Sequence, residues 1–433
     1  MKEKVLKEIE RTKTYCQICK ETHNAVLRQE GDDIIAEYSC KGETKKVIVS
    51  GNADIFMQMR RKVEYDENYI PPKKHRFLVN QLYITDACNC SCPICYIAPN
   101  MKNSYFMSVE EVVSRIKIAK SQKTEKVILI GGEPTIHPDI IEIIKAIRKL
   151  KVKVLIATNG LKLAEDSDFA YKLKRAGVYS VSLQFDTLNR TTLKKMRGYD
   201  DIDLKFKAIK NIQNANLRYG LICTVNSFNE NEIGDLIKWA IDLPTLPRFF
   251  AFQTMAEIGR FPLEARKKIT REKIIKNIIT SGCLPGAKTE NFWPIPFFQP
   301  LGYFVHPDCA ANLFVVRDKK KIFFLDDLTD LSSLFKDMRK AKLKDCPKLA
   351  LFIAIYLLIK NTRFKNISKI LKYFLPFQNP KKQNDLMMIG TGGFVSQNFE
   401  DTQRISRCGA AVLTEKGNVS LCSYFSRGCR ISC

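Results

Sequence analysis

The sequence predicts an α/β fold built as a partial (β/α)6 barrel, and three observations carry that expectation. Six apolar, β-branched runs recur between residues 78 and 254, helical patterns fill the intervals, and a dense group of cysteines follows the first run immediately. Strands alternating with helices pair in parallel, and right-handed crossovers curl them toward a barrel whose reactive mouth is formed by the carboxyl ends of the strands.

In chain order the runs are LVNQLYIT (Leu78 to Thr85), KVILIG (Lys126 to Gly131), KVLIAT (Lys153 to Thr158), YSVSLQF (Tyr179 to Phe185), GLICTV (Gly220 to Val225) and RFFAFQT (Arg248 to Thr254). Between the first two, SVEEVVSRIKIAKSQ starts a helix at Ser108, an N-cap whose capping-box partner is Glu111. HPDIIEIIKAIRKLK carries isoleucines at helical spacing after the second run. The barrel core is assigned to residues 78–270. A small metal ribbon at 1–60 and a linker at 61–77 precede it, and a C-terminal region at 271–433 follows.

With 433 residues, 45% of them hydrophobic, the chain is long enough for two or three domains with cores of their own. Its fifteen cysteines are odd in number and clustered, which points to reduced thiols serving as metal ligands rather than to a secreted disulfide framework. The start, MKEKVLKEIERTK, is charged throughout and has no apolar h-region, so no signal peptide and a cytoplasmic location are expected.

The net charge of +25 suits nucleic acid or anionic lipid. Its distribution favours lipid: residues 334–382 hold thirteen Lys or Arg against two Asp, around the apolar LALFIAIYLLI of Leu349 to Ile359. Eleven apolar residues fall short of the ~20 of a spanning helix, so this basic apolar segment is expected to lie in the interface or line an apolar cavity, peripheral on the inner face of a membrane. A buried core helix with a solvated basic flank is the competing reading.

DACNCSCPICY, Asp86 to Tyr96, places Cys88, Cys90, Cys92 and Cys95 on one short loop. A structural zinc site draws its ligands from two separated knuckles, which this loop does not offer. The C-x3-C-x2-C of Cys88, Cys92 and Cys95 can wrap three corners of one cube, leaving Cys90 as the bystander. Three thiolates on a 4Fe-4S cluster leave one iron open, as catalytic metal sites do.

That spacing, with GGEPT (Gly131, Gly132, Glu133, Pro134, Thr135) ending the second run, resembles the radical S-adenosylmethionine (SAM) enzymes. The resemblance implies that the open iron chelates SAM and that an electron from the cluster cleaves it to methionine and a 5'-deoxyadenosyl radical, which takes a hydrogen atom from substrate. It also implies that Gly131 and Gly132 let the backbone approach the methionine moiety, that Glu133 bonds its ammonium group, and that Asn159, Ser182 and Gln184 contact its carboxylate or ribose. In one departure, Ile94 stands where the family usually has an aromatic residue, and Tyr96 follows Cys95.

The order of further segments, YCQIC, FFAFQTMAEIGRF, HPDCAANLFV and RCGAAVLTEKGNVSLCSYF, looks like that of the archaeal tetraether lipid synthase family and its paralogues, once described as pterin methyltransferase-like. These carry an N-terminal ribbon with a mononuclear metal, the barrel, and C-terminal auxiliary iron-sulfur sites. Here Cys16, Cys19 and Cys40 offer three ligands for a rubredoxin-like or zinc-ribbon site. The family's Cys-Pro-x-His-Gly continuation is replaced by KGETKK after Cys40, so His23 substitutes or the site is weak or lost. The family's cysteine-rich insert before the first barrel strand is also absent from DENYIPPKKHRF. Cys309, Cys408 and Cys422, with Cys429 or Cys433 as a fourth, are the auxiliary-cluster candidates. The glycine turn between Cys408 and Cys422 lets a hairpin bring those two together, with a second structural zinc site as the alternative. Cys223, on the fifth run, reads as a core residue or a thiol lining the mouth rather than a ligand.

The expected function is a radical SAM enzyme acting on an apolar, lipid-like substrate, with tetraether-synthase-like C–C bond formation or a related lipid modification. Its expected partners are a ferredoxin- or flavodoxin-like electron donor and an anionic membrane surface. Peptide or pterin modification is the alternative within the enzyme class. The non-enzyme alternative, a metal-ribbon protein binding nucleic acid, would have no need of GGEPT or the three-cysteine spacing.

Overall fold

The computed structural model describes residues 7–16, 18–65, 77–98, 104–265, 267–294, 305–319, 321–340, 347–378, 385–393 and 399–426. Two sheets organise them. The N-terminal one is an antiparallel meander of β1 (Lys7–Tyr15), β2 (Thr22–Glu30), β3 (Asp33–Cys40) and β4 (Glu43–Ser50), followed by a helix over Ala53–Lys62. In β3, alternation buries Ile34, Ala36, Tyr38 and Cys40 on one face, the period-2 pattern of a half-covered strand.

The second sheet contains the barrel. β5 (Val79–Thr85), β6 (Lys126–Gly131), β7 (Lys153–Thr158), β8 (Val178–Gln184), β9 (Tyr219–Val225) and β10 (Phe249–Thr254) pair in parallel and in sequence order, matching the six runs. Ser108 caps its helix in the expected capping box with Glu111. Outward-facing residues such as Leu82, Leu129, Ile156, Leu183, Leu221 and Phe252 pack under helices through Ile116, Ile143, Ile147, Ile209 and Leu236. Cys223, wholly buried, belongs to this core.

The sheet does not stop at six strands. Beyond β10 lie β14 (Leu386–Gly392), parallel to it, and β12 (Ala310–Asp318), antiparallel to β14; β11 (Trp293–Pro294) and β13 (Lys321–Phe324) pair with β12. Beyond β5 lie β16 (Ala410–Thr414), parallel, and its hairpin partner β17 (Gly417–Ser420). Residues from the C-terminal region thus form both edges. The edges are drawn together where His306 donates its backbone N–H to the Arg407 carbonyl, 3.2 Å away. β15 (Glu400–Asp401) instead joins β1 of the N-terminal sheet.

The two sheets are locked by a buried charge cluster. Arg60, on the helix after β4, is 5% exposed; it pairs with Glu10 of β1 at 2.7 Å and with both carboxylate oxygens of Asp308, at 3.2 and 2.7 Å. Phe56 and Tyr65 offer ring faces to its guanidinium, and the Tyr65 hydroxyl bonds Glu10 and His306. Burial would raise the Asp308 carboxyl, but Arg60 and His306 outweigh it and hold it well below the usual range.

Outside the barrel, helices over Leu331–Lys340, Pro347–Lys360 and Ile367–Gln378 share a satellite core with β12 and β14. The apolar segment Leu349 to Ile359 lies in the second of these. Leu357 and Leu358 are buried, whereas Phe352 and Tyr356 are 71% and 64% exposed, so the segment is part core and part exposed face. Among the described residues no helix is long and apolar enough to cross a membrane.

Removing one partner of a buried pair leaves the other charge uncompensated. Arg60→Ala is therefore expected to lower stability by about 3–5 kcal/mol. Denaturant unfolding measures this, and a loss under about 1 kcal/mol would show that the lock is dispensable.

Candidate active site

The loop after β5 carries the four cysteines and is fixed by backbone contact with the end of β6. Gly132 donates its N–H to Thr85 O at 2.8 Å, and Glu133 donates to Ala87 O at 2.7 Å. A Cβ on Gly132 would lie 2.0 Å from Ala87 O, and one on Gly131, where φ is +148°, would lie 2.0 Å from Thr85 O. Only glycine allows this approach. Cys88 and Cys90 are buried, Cys92 and Cys95 partly so, and all four thiols are free. From the other side, Arg260 donates its backbone N–H to Cys95 O at 2.8 Å.

The ends of β6, β7 and β8 form a polar network under this loop. Glu133, 1% exposed, accepts from the Thr135 N–H and hydroxyl, the Thr158 hydroxyl and the Asn159 N–H at 2.6 to 3.0 Å. Burial pushes its carboxyl up, against the pull of those donors. Pro134 opens a 3-10 turn there, over Pro134–Ile136. Asn159 reaches the cysteine loop itself, donating to Asn89 at 2.7 Å and to Cys90 Sγ at 3.5 Å. Gln184 faces the barrel interior, as does Ser182 one step below it.

Two cations beneath the site were not singled out from sequence. Lys205, 1% exposed, donates its ammonium to Asn159 O, Gln184 O and Gln184 Oε1, tying two strand ends together; burial brings it down to about 8. Its sequence signal was a lysine sharing a helical face with the apolar Ala208, Ile209 and Ile212. Arg197 forms a bidentate pair with Asp186 at 2.7 and 3.0 Å, and its guanidinium also faces Cys92. The Cys90 thiol and then Arg197 hold Cys92 below the usual thiol range. Asp186 closes the SLQFD segment, and only the fold reveals its partner.

Two further sulfur sites assemble. Cys16, Cys19, His23 and Cys40 bring their ligand atoms within 4.8 Å of one another, with Cys16 and Cys40 sulfurs 3.5 Å apart, so His23 completes the three-cysteine set. Metal–sulfur bonds of ~2.3 Å place tetrahedral ligands ~3.8 Å apart, so this donor set fits one ion. No other group of three or more ligand atoms closes so tightly among the described residues.

In the C-terminal region Cys408 and Cys422 meet across the β16–β17 hairpin, and Cys309 faces both of them beside Arg404. The Cys422 thiol lowers the Cys408 titration, whereas burial raises that of Cys309. Cys429 and Cys433 lie outside the described residues. A cavity at the barrel mouth, lined by Val49 of β4 and by Asn226, Thr254, Met255, Lys268 and Arg404, extends to Arg404 beside this trio.

Residues 82–240 match the family model described as the Radical SAM superfamily. Over 92% of this chain and 89% of the relative, the sequence is 26% identical to a 7,8-dihydro-6-hydroxymethylpterin dimethyltransferase of Methanocaldococcus jannaschii. It is 35% identical to a probable GTP 3',8-cyclase of Pyrococcus abyssi over 37% of this chain, spanning about half (52%) of that relative's length. The solved structure of Streptococcus suis SuiB bound to S-adenosylmethionine aligns with TM-score 0.42 at 17% identity, over 59% of this chain and 68% of that one.

The seam between loop and β6 is directly testable. Gly132→Ala must push Ala87 away by roughly an ångström, a displacement worth about 10²-fold in rate when reacting groups depend on it. Iron content after anaerobic reconstitution and SAM cleavage should both fall; wild-type values for both would show that the seam does not set the loop.

Proposed function

We propose, from the premise that the chain is a radical SAM enzyme, that it removes a hydrogen atom from an apolar, lipid-like substrate and leads it into C–C bond formation or a related lipid modification. One observation carries the lipid reading. The helix Pro347–Lys360 turns Phe352 and Tyr356, one helical turn apart, toward solvent, and Phe364, in the turn that follows, is 92% exposed. Lys360, Arg363, Lys365 and Lys369 follow Tyr356 in the chain. Aromatic side chains with nearby cations suit an anionic membrane interface, and in this reading the enzyme is cytoplasmic and docks peripherally on the inner face of the membrane.

When bound, the 4Fe-4S cluster and SAM supply reductive cleavage to methionine and a 5'-deoxyadenosyl radical that takes the hydrogen atom. In this reading Cys88, Cys92 and Cys95 hold the cluster and Cys90 stands aside. Gly131, Gly132, Glu133, Pro134, Asn159, Ser182 and Gln184 form the cofactor wall, with Lys205 holding Asn159 and Gln184 in place. Cys309, Cys408 and Cys422, with Cys429, hold an auxiliary cluster; Cys16, Cys19 and Cys40, with His23, hold a single iron or zinc. A ferredoxin- or flavodoxin-like protein delivers the electron. The assignment of 1–60, 61–77, 78–270 and 271–433 to ribbon, linker, core and C-terminal region belongs to the same proposal. Pterin modification is the second reading, favoured by the relative aligned over nearly the whole chain.

Two experiments test this. Ala at Cys88, Cys92 or Cys95 should abolish SAM cleavage, and Cys90→Ala should keep most of it; equal loss at all four would overturn the ligand choice. Flotation with anionic liposomes should capture the protein, and Phe352→Glu with Tyr356→Glu should cut capture at least about tenfold, on the order of the cost of two buried aromatics. Unchanged capture by the double variant would sink the docking face. Expression in a lipid-defined host, followed by lipid mass spectrometry, should yield a new species that Cys88→Ala removes.

A further inference from the structure

The connection between the helices Arg190–Arg197 and Asp203–Asn214 runs against the cysteine loop. Gly198 ends the first helix in the left-handed region, at φ +83°, and a Cβ there would lie 3.4 Å from Ser91 O and 3.8 Å from Pro93 Cδ, the residues on either side of Cys92. Met196 is buried in one cluster with Ile94. These contacts set where Arg197 and Tyr199, one on each side of the glycine, meet the loop. Arg197 is held by Asp186 through Nε and Nη2 and faces Cys92.

Tyr199 has no such partner. Its ring packs against the barrel core, and its hydroxyl is buried without a hydrogen bond. Phenylalanine would fill the same space without that cost, because a buried donor left unsatisfied gives up its water and gains nothing in return. Burial raises the hydroxyl most, then the Cys90 thiol, and Cys92 adds to both, so the group is a neutral donor close to two cysteines of the loop. Asp186, the carboxylate nearby, is already taken by Arg197, by the Thr224 N–H and by Gln184. The Lys205 ammonium stands 5.8 Å from the Tyr199 ring centroid and is bonded to uncharged oxygens of Asn159 and Gln184. What this side of the loop lacks is a negatively charged acceptor, and a 4Fe-4S cluster on three thiolates, edged with sulfide, is one.

We infer that Tyr199 donates its hydroxyl to a sulfur atom of the cluster held by Cys88, Cys92 and Cys95, and that together with Arg197 at Cys92 it raises the potential at which that cluster accepts an electron. One electron from a ferredoxin- or flavodoxin-like donor adds one negative charge to the cluster. Hydrogen bonds to its sulfur atoms stabilise the more negative state more, so each donor makes reduction easier. The inference rests on the ligand reading given above and goes beyond it by assigning the residues that set the potential.

The test uses Tyr199→Phe in the full-length, anaerobically reconstituted protein. A mediated dithionite titration follows, by paramagnetic resonance, the reduced-cluster signal that SAM perturbs and that Cys88→Ala removes. The midpoint should fall by about tenfold in the reduction equilibrium, about 59 mV for one electron. Before reconstitution the variant should melt at or above the wild-type temperature, since it has lost only an unsatisfied donor. A hydroxyl with a structural role would instead lower that temperature and leave the midpoint alone. The inference stands only if the midpoint falls and the unloaded variant is no less stable; any other pairing overturns it. Failure of the ligand reading looks different: the SAM-sensitive signal would then be missing from the wild type or would survive Cys88→Ala, and the inference would fall with it.

Discussion

The reactive mouth depends on two backbone segments that touch with no room for a side chain between them. Gly131 and Gly132 bring the end of β6 against Thr85 and Ala87, and the N–H groups of Gly132 and Glu133 bond those carbonyls. Because the contact is made by main chain, the cysteine loop inherits the rigidity of the sheet. From the same point the Glu133 carboxylate crosses to Thr158 and Asn159, Asn159 crosses back to the loop, and Lys205 clamps the next strand. Moving the seam would shift each of these groups.

A second constraint is the curl of the large sheet. The C-terminal residues add strands to both of its edges, and segments preceding those strands meet at His306 and Arg407. The meeting point is also where Cys309 comes to Cys408 and Cys422, and where Asp308 receives Arg60. An ion pair that joins the N-terminal sheet to the barrel therefore sits one residue from a candidate cluster ligand. Buried charges of this kind add little net stability over an apolar contact, and here the pairing specifies where the N-terminal sheet docks. The mouth cavity between β4 and the ends of β9 and β10 exists because of that docking.

Much of this was legible in the sequence because its signals are local. Each of the six runs became the expected strand, since apolar β-branched residues in short stretches have few other low-energy choices. The Ser108 capping box formed because both of its partners lie within one turn. The apolar helix Pro347–Lys360 is divided: Leu357 and Leu358 meet the core, whereas Phe352 and Tyr356 are exposed, a division that depends on which neighbours pack against it. β12 and β14 were missed for a related reason. Their pairing partners are distant in the chain, and nothing local says which sheet edge a strand will join.

Alone, the sequence determined the strand–helix alternation, the four-cysteine loop at the end of the first barrel strand, and the glycines that close on it, because spacing and residue type carry those constraints within a few positions. Only the tertiary structure decided that His23 joins Cys16, Cys19 and Cys40, that Arg197 pairs with Asp186 beside Cys92, and that Lys205 lies under two strand ends. Each of these depends on which elements become neighbours. A charged or polar side chain acquires its role from the partner that the fold, through burial of the apolar faces, brings within hydrogen-bond distance.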